Sequence, residues 1–206
     1  MLFNKLALIG CGLIGGSFAL ALKRSNSVAQ VSGFSASERS RAKALELGVI
    51  DTSANSIQEA LEGADLVLVA VPVNAMASCL EDVEAHMSPS ALVMDVGSTK
   101  TQITQAAQKA MRMHFASFVP AHPIAGKERH GVEHAEAELF DHHQTILTPS
   151  SQTDPRKIEL AMKAWQAVGS HVSIMSPHEH DQALAAVSHL PHLIAFAAVN
   201  AIAKQD

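Results

Sequence analysis

Lys5-Leu6-Ala7-Leu8-Ile9-Gly10-Cys11-Gly12-Leu13-Ile14-Gly15 decides how this chain folds. The run up to Ile9 reads as a buried strand, the glycines as a tight turn, and the residues after Gly12 as the opening of a helix. Each glycine then has its own role. Gly10 makes the turn, Gly12 lets backbone approach a diphosphate, and Gly15 lets the helix pack closely on the strand. Unpaired amides at the helix start, together with its dipole, favour an anion there. Gly10, Gly12, Leu13, Ile14 and Gly15 are therefore the first candidates for holding a dinucleotide. A glycine-rich turn without a ligand is the alternative, and the strand and helix on either side weigh against it. Cys11 reads as a small filler, since nothing nearby marks it as a reactive thiolate. The same stretch imitates a short secretory signal, but the glycines interrupt its apolar run too early.

Outward from this point, short aliphatic runs alternate with segments of helical periodicity. Strands are expected at 5–9, 31–34, 66–71, 92–96, 118–121, 145–148 and 171–174, and helices at 14–23, 38–47, 57–61, 74–86, 100–111 and 155–168. This is the pattern of an α/β, Rossmann-like, doubly wound and mainly parallel sheet covered by helices on both faces. Leu66-Val67-Leu68-Val69-Ala70-Val71 does not alternate polar with apolar, so it should be a central strand buried on both faces. Ligands of such sheets sit outside the carboxyl ends of the strands, which adds Val71 and Pro72 to the candidate cofactor residues.

The dinucleotide domain is expected to span 1–175, with 176–206 opening a helical domain. Ser176-Pro177-His178-Glu179 reads as a capping box with proline at the first helical position. The helix it starts should bend at Pro191, which lacks a backbone donor. Beyond the bend, Leu193-Ile194-Ala195-Phe196-Ala197-Ala198-Val199 is apolar on nearly every side and needs cover from a partner chain or from further protein. That run is far shorter than the roughly 20 residues of a membrane-spanning helix.

The 206 residues suffice for one α/β domain and the start of a second. A net charge of -5 and a pI near 6.2 give no basic field to gather nucleic acid or anionic lipid, so a small-molecule partner is expected. With only Cys11 and Cys79, no disulfide framework can be argued, and a reducing, cytoplasmic location is expected.

The end of the second strand should discriminate between the nicotinamide cofactors, because an acid there grips the ribose hydroxyls of NAD. Ser35 stands where that acid is expected, and Arg39 and Arg41 follow within reach of a 2′-phosphate. NADP is favoured over NAD on this reading. Glu38 lies nearby, however, and two arginines opening a surface helix are also what ordinary solvated charge looks like.

Val119-Pro120-Ala121-His122-Pro123 places a histidine at the carboxyl end of a strand, where Pro123 biases it toward extended backbone. An imidazole projecting there can accept the proton released when an alcohol is oxidised to a carbonyl. Among 12 histidines, an ordinary loop histidine is the other reading.

Four strings in order resemble the signatures of prephenate/arogenate dehydrogenases. They are Leu8-Ile9-Gly10-Cys11-Gly12-Leu13-Ile14-Gly15-Gly16-Ser17, Asp95-Val96-Gly97-Ser98-Thr99-Lys100, His122-Pro123-Ile124-Ala125-Gly126 and Val187-Ser188-His189-Leu190-Pro191-His192. The resemblance implies an NAD(P)-dependent oxidative decarboxylation of prephenate or arogenate, the two being left open. It implies that His122 takes the substrate hydroxyl's proton while Ser98 fixes that hydroxyl and the histidine. It also implies a substrate-side loop containing Glu128 and Gly131, and a substrate-facing helix carrying Asp181, His189 and His192. Without the resemblance, Ser98 reads as the N-cap of the helix near Lys100, Glu128 as surface charge, and His189 and His192 as helix polarity. Asp181, Ser188 and His192 recur at helical spacing and share one face. A metal there would need a further ligand that the sequence does not nominate, so none is expected. The family implies a homodimer through the C-terminal helical region, which supplies an arginine for a substrate carboxylate, so weak turnover by 1–206 alone is expected. A related hydroxy-acid dehydrogenase and a non-catalytic dinucleotide sensor are the competing functions.

Overall fold

The computed structural model describes residues 1–185. Strands β1 (Phe3–Ile9), β2 (Val28–Phe34), β3 (Thr52–Ser53), β4 (Leu66–Val69), β5 (Leu92–Asp95) and β6 (Phe118–Val119) form one parallel sheet of order β3-β2-β1-β4-β5-β6. Helices α1 (Leu13–Arg24), α2 (Glu38–Glu46), α3 (Ile57–Leu61), α4 (Val73–His86), α5 (Thr101–Ala110) and α6 (Pro155–Ala167) connect and cover it. The order reverses between β1 and β4, and that reversal opens a crevice at their carboxyl ends.

Alternation along the central strands divides the apolar residues between two cores. Leu6, Leu8, Leu66 and Leu68 face one side with Phe18 and Trp165, whereas Ala7, Ile9, Val67 and Val69 face the other with Met76 and Phe118. The Trp165 ring lies 4.7 Å from that of Phe18 and 5.4 Å from that of Phe140, so aromatic packing fixes α6 against α1. All of β4 is buried, as its unbroken apolar run requires.

The strand expected at 118–121 is divided. Phe118 and Val119 stay in the parallel sheet, while β7 (Ala121–Pro123) leaves it and pairs antiparallel with β8 (Gln144–Leu147), which runs parallel to β9 (His171–Ile174). Pro120 is the cause: it has no N–H to continue the first ladder, and its carbonyl instead accepts from Thr148 N. His122 is thus the central residue of β7, on a second, three-stranded sheet. The two-residue β3 is an unforeseen edge strand, too short to leave a periodic trace.

Helix α7 (Pro177–Leu184) begins with the expected capping box. Ser176 Oγ accepts from Glu179 N, and the Glu179 carboxylate accepts from Ser176 N. It packs on α5. Its continuation through Pro191 and the apolar run at 193–203 lie outside the described residues.

Candidate active site

The cofactor cleft is built as the glycine spacing requires. Gly10 has φ +104°, and a Cβ there would run into the Ala70 carbonyl at the end of β4. Only glycine allows β1 and β4 to meet so closely. A Cβ on Gly15 would meet the Gly10 carbonyl at 2.6 Å and the Leu8 and Ala70 side chains at 2.8 and 2.9 Å, so glycine sets the distance from α1 to the sheet. At Gly12 a Cβ would meet no protein atom within 4 Å, which leaves the start of α1 open toward the crevice. This cradle fits a dinucleotide diphosphate. Gly10, Gly12, Ser35, Val71 and Pro72 line one cleft, and Leu13, Ile14 and Gly15 line a second that shares Gly12, Val71 and Pro72 with it and reaches Val96 and Gly126.

At the outer end, Arg41 Nη1 donates to the Ser35 carbonyl, and its guanidinium lies 5.9 Å from the centre of the Phe34 ring. Arg39 is exposed beside Ser40 and Lys43. Burial pushes the Cys11 thiol up to about 11, against a smaller pull from Arg41, which agrees with its reading as an inert filler. Gly131, expected on the substrate side, lines the cofactor clefts, with φ +103°. The loop from Gly126 to Gly131 covers the cofactor crevice, and Glu128 stands exposed on it.

The inner end rests on a buried ion pair to which the sequence alone assigns no role. Lys100 Nζ and Asp95 Oδ2 are 2.5 Å apart with both side chains fully buried. Asp95 also accepts from Gly97 N at 2.7 Å and from Ala121 N at 3.2 Å, while Lys100 Nζ donates to the Ala121 carbonyl at 2.8 Å. Both backbone groups of the residue preceding His122 are therefore clamped by this pair. Burial pulls the Lys100 ammonium below the ordinary lysine range, and the Asp95 charge opposes that pull.

His122 is half-buried, and its Nδ1 lies 2.8 Å from Nε2 of His180, a fully buried residue of α7. Nδ1 of His180 lies 2.8 Å from Asp181 Oδ1. The Asp181 carboxylate in turn accepts from Lys100 N at 2.8 Å and Thr101 N at 2.9 Å. Burial raises the Asp181 pKa, but the bonds from Lys100, Thr101 and His180 outweigh it and hold the carboxyl well below the usual range.

One expectation is corrected by this geometry. Ser98 does not cap α5: the N-cap position is Lys100, without a side-chain cap, and the first amides are taken by Asp181 from α7. Ser98 is an exposed residue of the loop joining β5 to α5. Asp181, expected to contact substrate, has both oxygens bonded within the chain, to the first amides of α5 and to His180, and its side chain stays partly exposed. His189 and His192 lie outside the described residues. His180 does not stand out among the histidines of the sequence, and the one signal that could have found it is its place directly before an aspartate in a capping-box helix.

Sheet order and the glycine cradle define a dinucleotide-binding domain of the kind that dehydrogenases use. The family described as prephenate dehydrogenase, nucleotide-binding domain, matches residues 18–174, and its companion, prephenate dehydrogenase, dimerization domain, matches 176–206. The chain is 38% identical to a cyclohexadienyl dehydrogenase of Zymomonas mobilis, over 99% of this chain and 69% of that one. It is 36% identical to a prephenate dehydrogenase of Bacillus subtilis, over 96% of this chain and 53% of that one. A crystal structure of prephenate dehydrogenase from A. aeolicus with hydroxyphenyl propionate and NAD+ superposes with a TM-score of 0.91 at 35% identity, covering 96% of this chain and 68% of that one. The chain belongs to the prephenate dehydrogenase family, and its cofactor is a nicotinamide dinucleotide.

Proposed function

We propose that this chain carries the cofactor site and the proton-accepting group of a dehydrogenase that oxidatively decarboxylates prephenate or arogenate. The observation that supports the reading is His122, held through Nδ1 by the buried His180 and four residues ahead of Gly126, which lines the dinucleotide crevice. When bound, the oxidised nicotinamide supplies the hydride acceptor. His122 takes the carbinol proton as that hydride leaves, and the electrons of the breaking carbon–carboxylate bond aromatise the ring while carbon dioxide departs. The proton returns from His122 to the phenolate so formed, and atoms and charge balance. Ser98, exposed in the loop after β5, is assigned to fixing the substrate hydroxyl, and Glu128 to the substrate-side loop. His189 and His192 are assigned to the same substrate face on the family resemblance.

NADP is inferred to serve at least as well as NAD. Ser35 offers no carboxylate to the ribose, and Arg39 and Arg41 supply positive charge at the outer end of the cleft. A homodimer through 176–206 is inferred, with support from the match of that segment to part of a dimerization domain. A cytosolic location is in keeping with two free cysteines. No helix among the described residues is long and apolar enough to cross a membrane. Absorbance of reduced nicotinamide, followed with prephenate, arogenate and a panel of hydroxy acids under both cofactors, tests the proposal. Turnover of a hydroxy acid in preference to both cyclohexadienols would overturn it.

A further inference from the structure

We propose that His180 is the positioning residue that selects the base form of His122, by a one-way chain of hydrogen bonds starting at Asp181. The donor and acceptor inventory of each group fixes its direction. A carboxylate can only accept. Asp181 Oδ1 and Oδ2 already take the amides of Lys100 and Thr101, and the 2.8 Å contact with His180 requires Nδ1 of that ring to be the donor. In a neutral His180 the proton on Nδ1 leaves Nε2 as an acceptor. The 2.8 Å contact between His180 Nε2 and His122 Nδ1 then requires His122 to donate. His122 is thereby fixed as the Nδ1–H tautomer, whose remaining lone pair is on Nε2, and the substrate proton is taken at that atom.

The chain's fixed end is firmly anchored. Asp181 is bound by backbone amides at the start of α5, and the residue before His122 is clamped by Asp95 and Lys100. Both histidines are therefore set by α5, one through each arm. Full burial of His180 keeps water from substituting for either of its contacts. As His122 becomes an imidazolium, its Nδ1–H continues to donate to His180, and the Asp181 charge lies one ring away to stabilise it. A helix that begins the neighbouring helical domain thus reaches back to set the protonation geometry of the dinucleotide domain.

This role for His180 rests on His122 being the proton acceptor, so its test includes a readout independent of turnover. Nitrogen-15 spectra of the imidazoles of the intact chain, assigned with His122→Asn and His180→Gln, should show His122 protonated at Nδ1 and bare at Nε2, and His180 neutral with its proton on Nδ1. A His122 protonated at Nε2 alone, or a His180 carrying both protons at neutral pH, overturns the chain. In kinetics, His180→Phe should lower kcat on prephenate roughly ten- to a hundredfold while the KM for dinucleotide stays within about twofold. His180→Gln, whose amide oxygen can still accept from His122, should recover most of that loss. Equal losses in the two variants, with cofactor binding intact in both, would reduce His180 to a packing residue. If the native chain turns over neither cyclohexadienol, the proposed reaction fails, and the nitrogen spectra still decide the tautomer.

Discussion

The two ends of the crevice are assembled in different ways. The cofactor end is made of local turns, 10–15 after β1, Ser35 after β2, and 70–72 after β4, each next to the strand that places it. The proposed reacting end joins Asp95, Lys100, His122, His180 and Asp181, which only the tertiary fold brings within hydrogen-bonding distance. A local turn imposes its conformational demands on adjacent residues, so its chemistry is written in spacing. A long-range network imposes only polarity on each member, and isolated polar residues resemble surface.

The sharpest way to break this contrast is at His122. His122→Asn should lower turnover on prephenate by at least about a hundredfold, because loss of a general base costs on the order of 10²–10⁴, with dinucleotide affinity little changed. Steady-state kinetics and a cofactor titration measure the two separately. Turnover within a few-fold of native would mean that the reacting end is elsewhere.

Next in size is the buried pair. Lys100→Met leaves the Asp95 carboxylate buried without its counter-charge, and breaking such a pair costs roughly 3–5 kcal/mol of folding stability. Denaturant unfolding should show this loss, with an unchanged slope. A loss below about 1 kcal/mol would mean that the amides of Gly97 and Ala121 satisfy Asp95 without help, and that the clamp on Ala121 is not set by charge.

What is legible in the sequence follows the same division. The parallel sheet, the parts played by the glycines and the capping box at Ser176 are readable because each depends on residues within a turn or two. The departure of β7 from the main sheet is foreshadowed only by Pro120, and a strand of mixed allegiance looks continuous in sequence. The bracing role of Asp181 is hidden because its partners, Lys100 N and Thr101 N, are backbone groups that no sequence pattern displays. The same holds for Gly131, whose place against the cofactor cleft depends on how the loop folds over α1.

A smaller effect sharpens the cofactor end. Ser35→Asp should move preference from NADP toward NAD by about tenfold or more in the ratio of kcat/KM values, through repulsion of the 2′-phosphate. Its carboxylate would also meet Arg41, which already bonds the Ser35 backbone, and so draw that guanidinium away from a bound phosphate. A strong native preference for NAD would remove the basis for this reading of Ser35, Arg39 and Arg41.

The smallest expected effect concerns the brace between the two helices and has a definite sign with pH. The Asp181 carboxyl is held below the usual range in the folded chain and relaxes to about 3.9 when unfolded, so its ionised form is favoured by folding. The unfolded state therefore binds the proton more readily, and the stabilisation is fully present above about pH 4. It is lost as pH falls from there toward the depressed folded value. Asp181→Asn keeps one oxygen as an acceptor but turns a donor toward the amides of α5 or toward His180, so it should cost about 1 kcal/mol at pH 7. Unfolding free energies of the two proteins, compared at pH 7 and at successively lower pH, should converge below about pH 4. A difference that stays constant across that range would mean that Asp181 braces α5 through shape rather than through its charge.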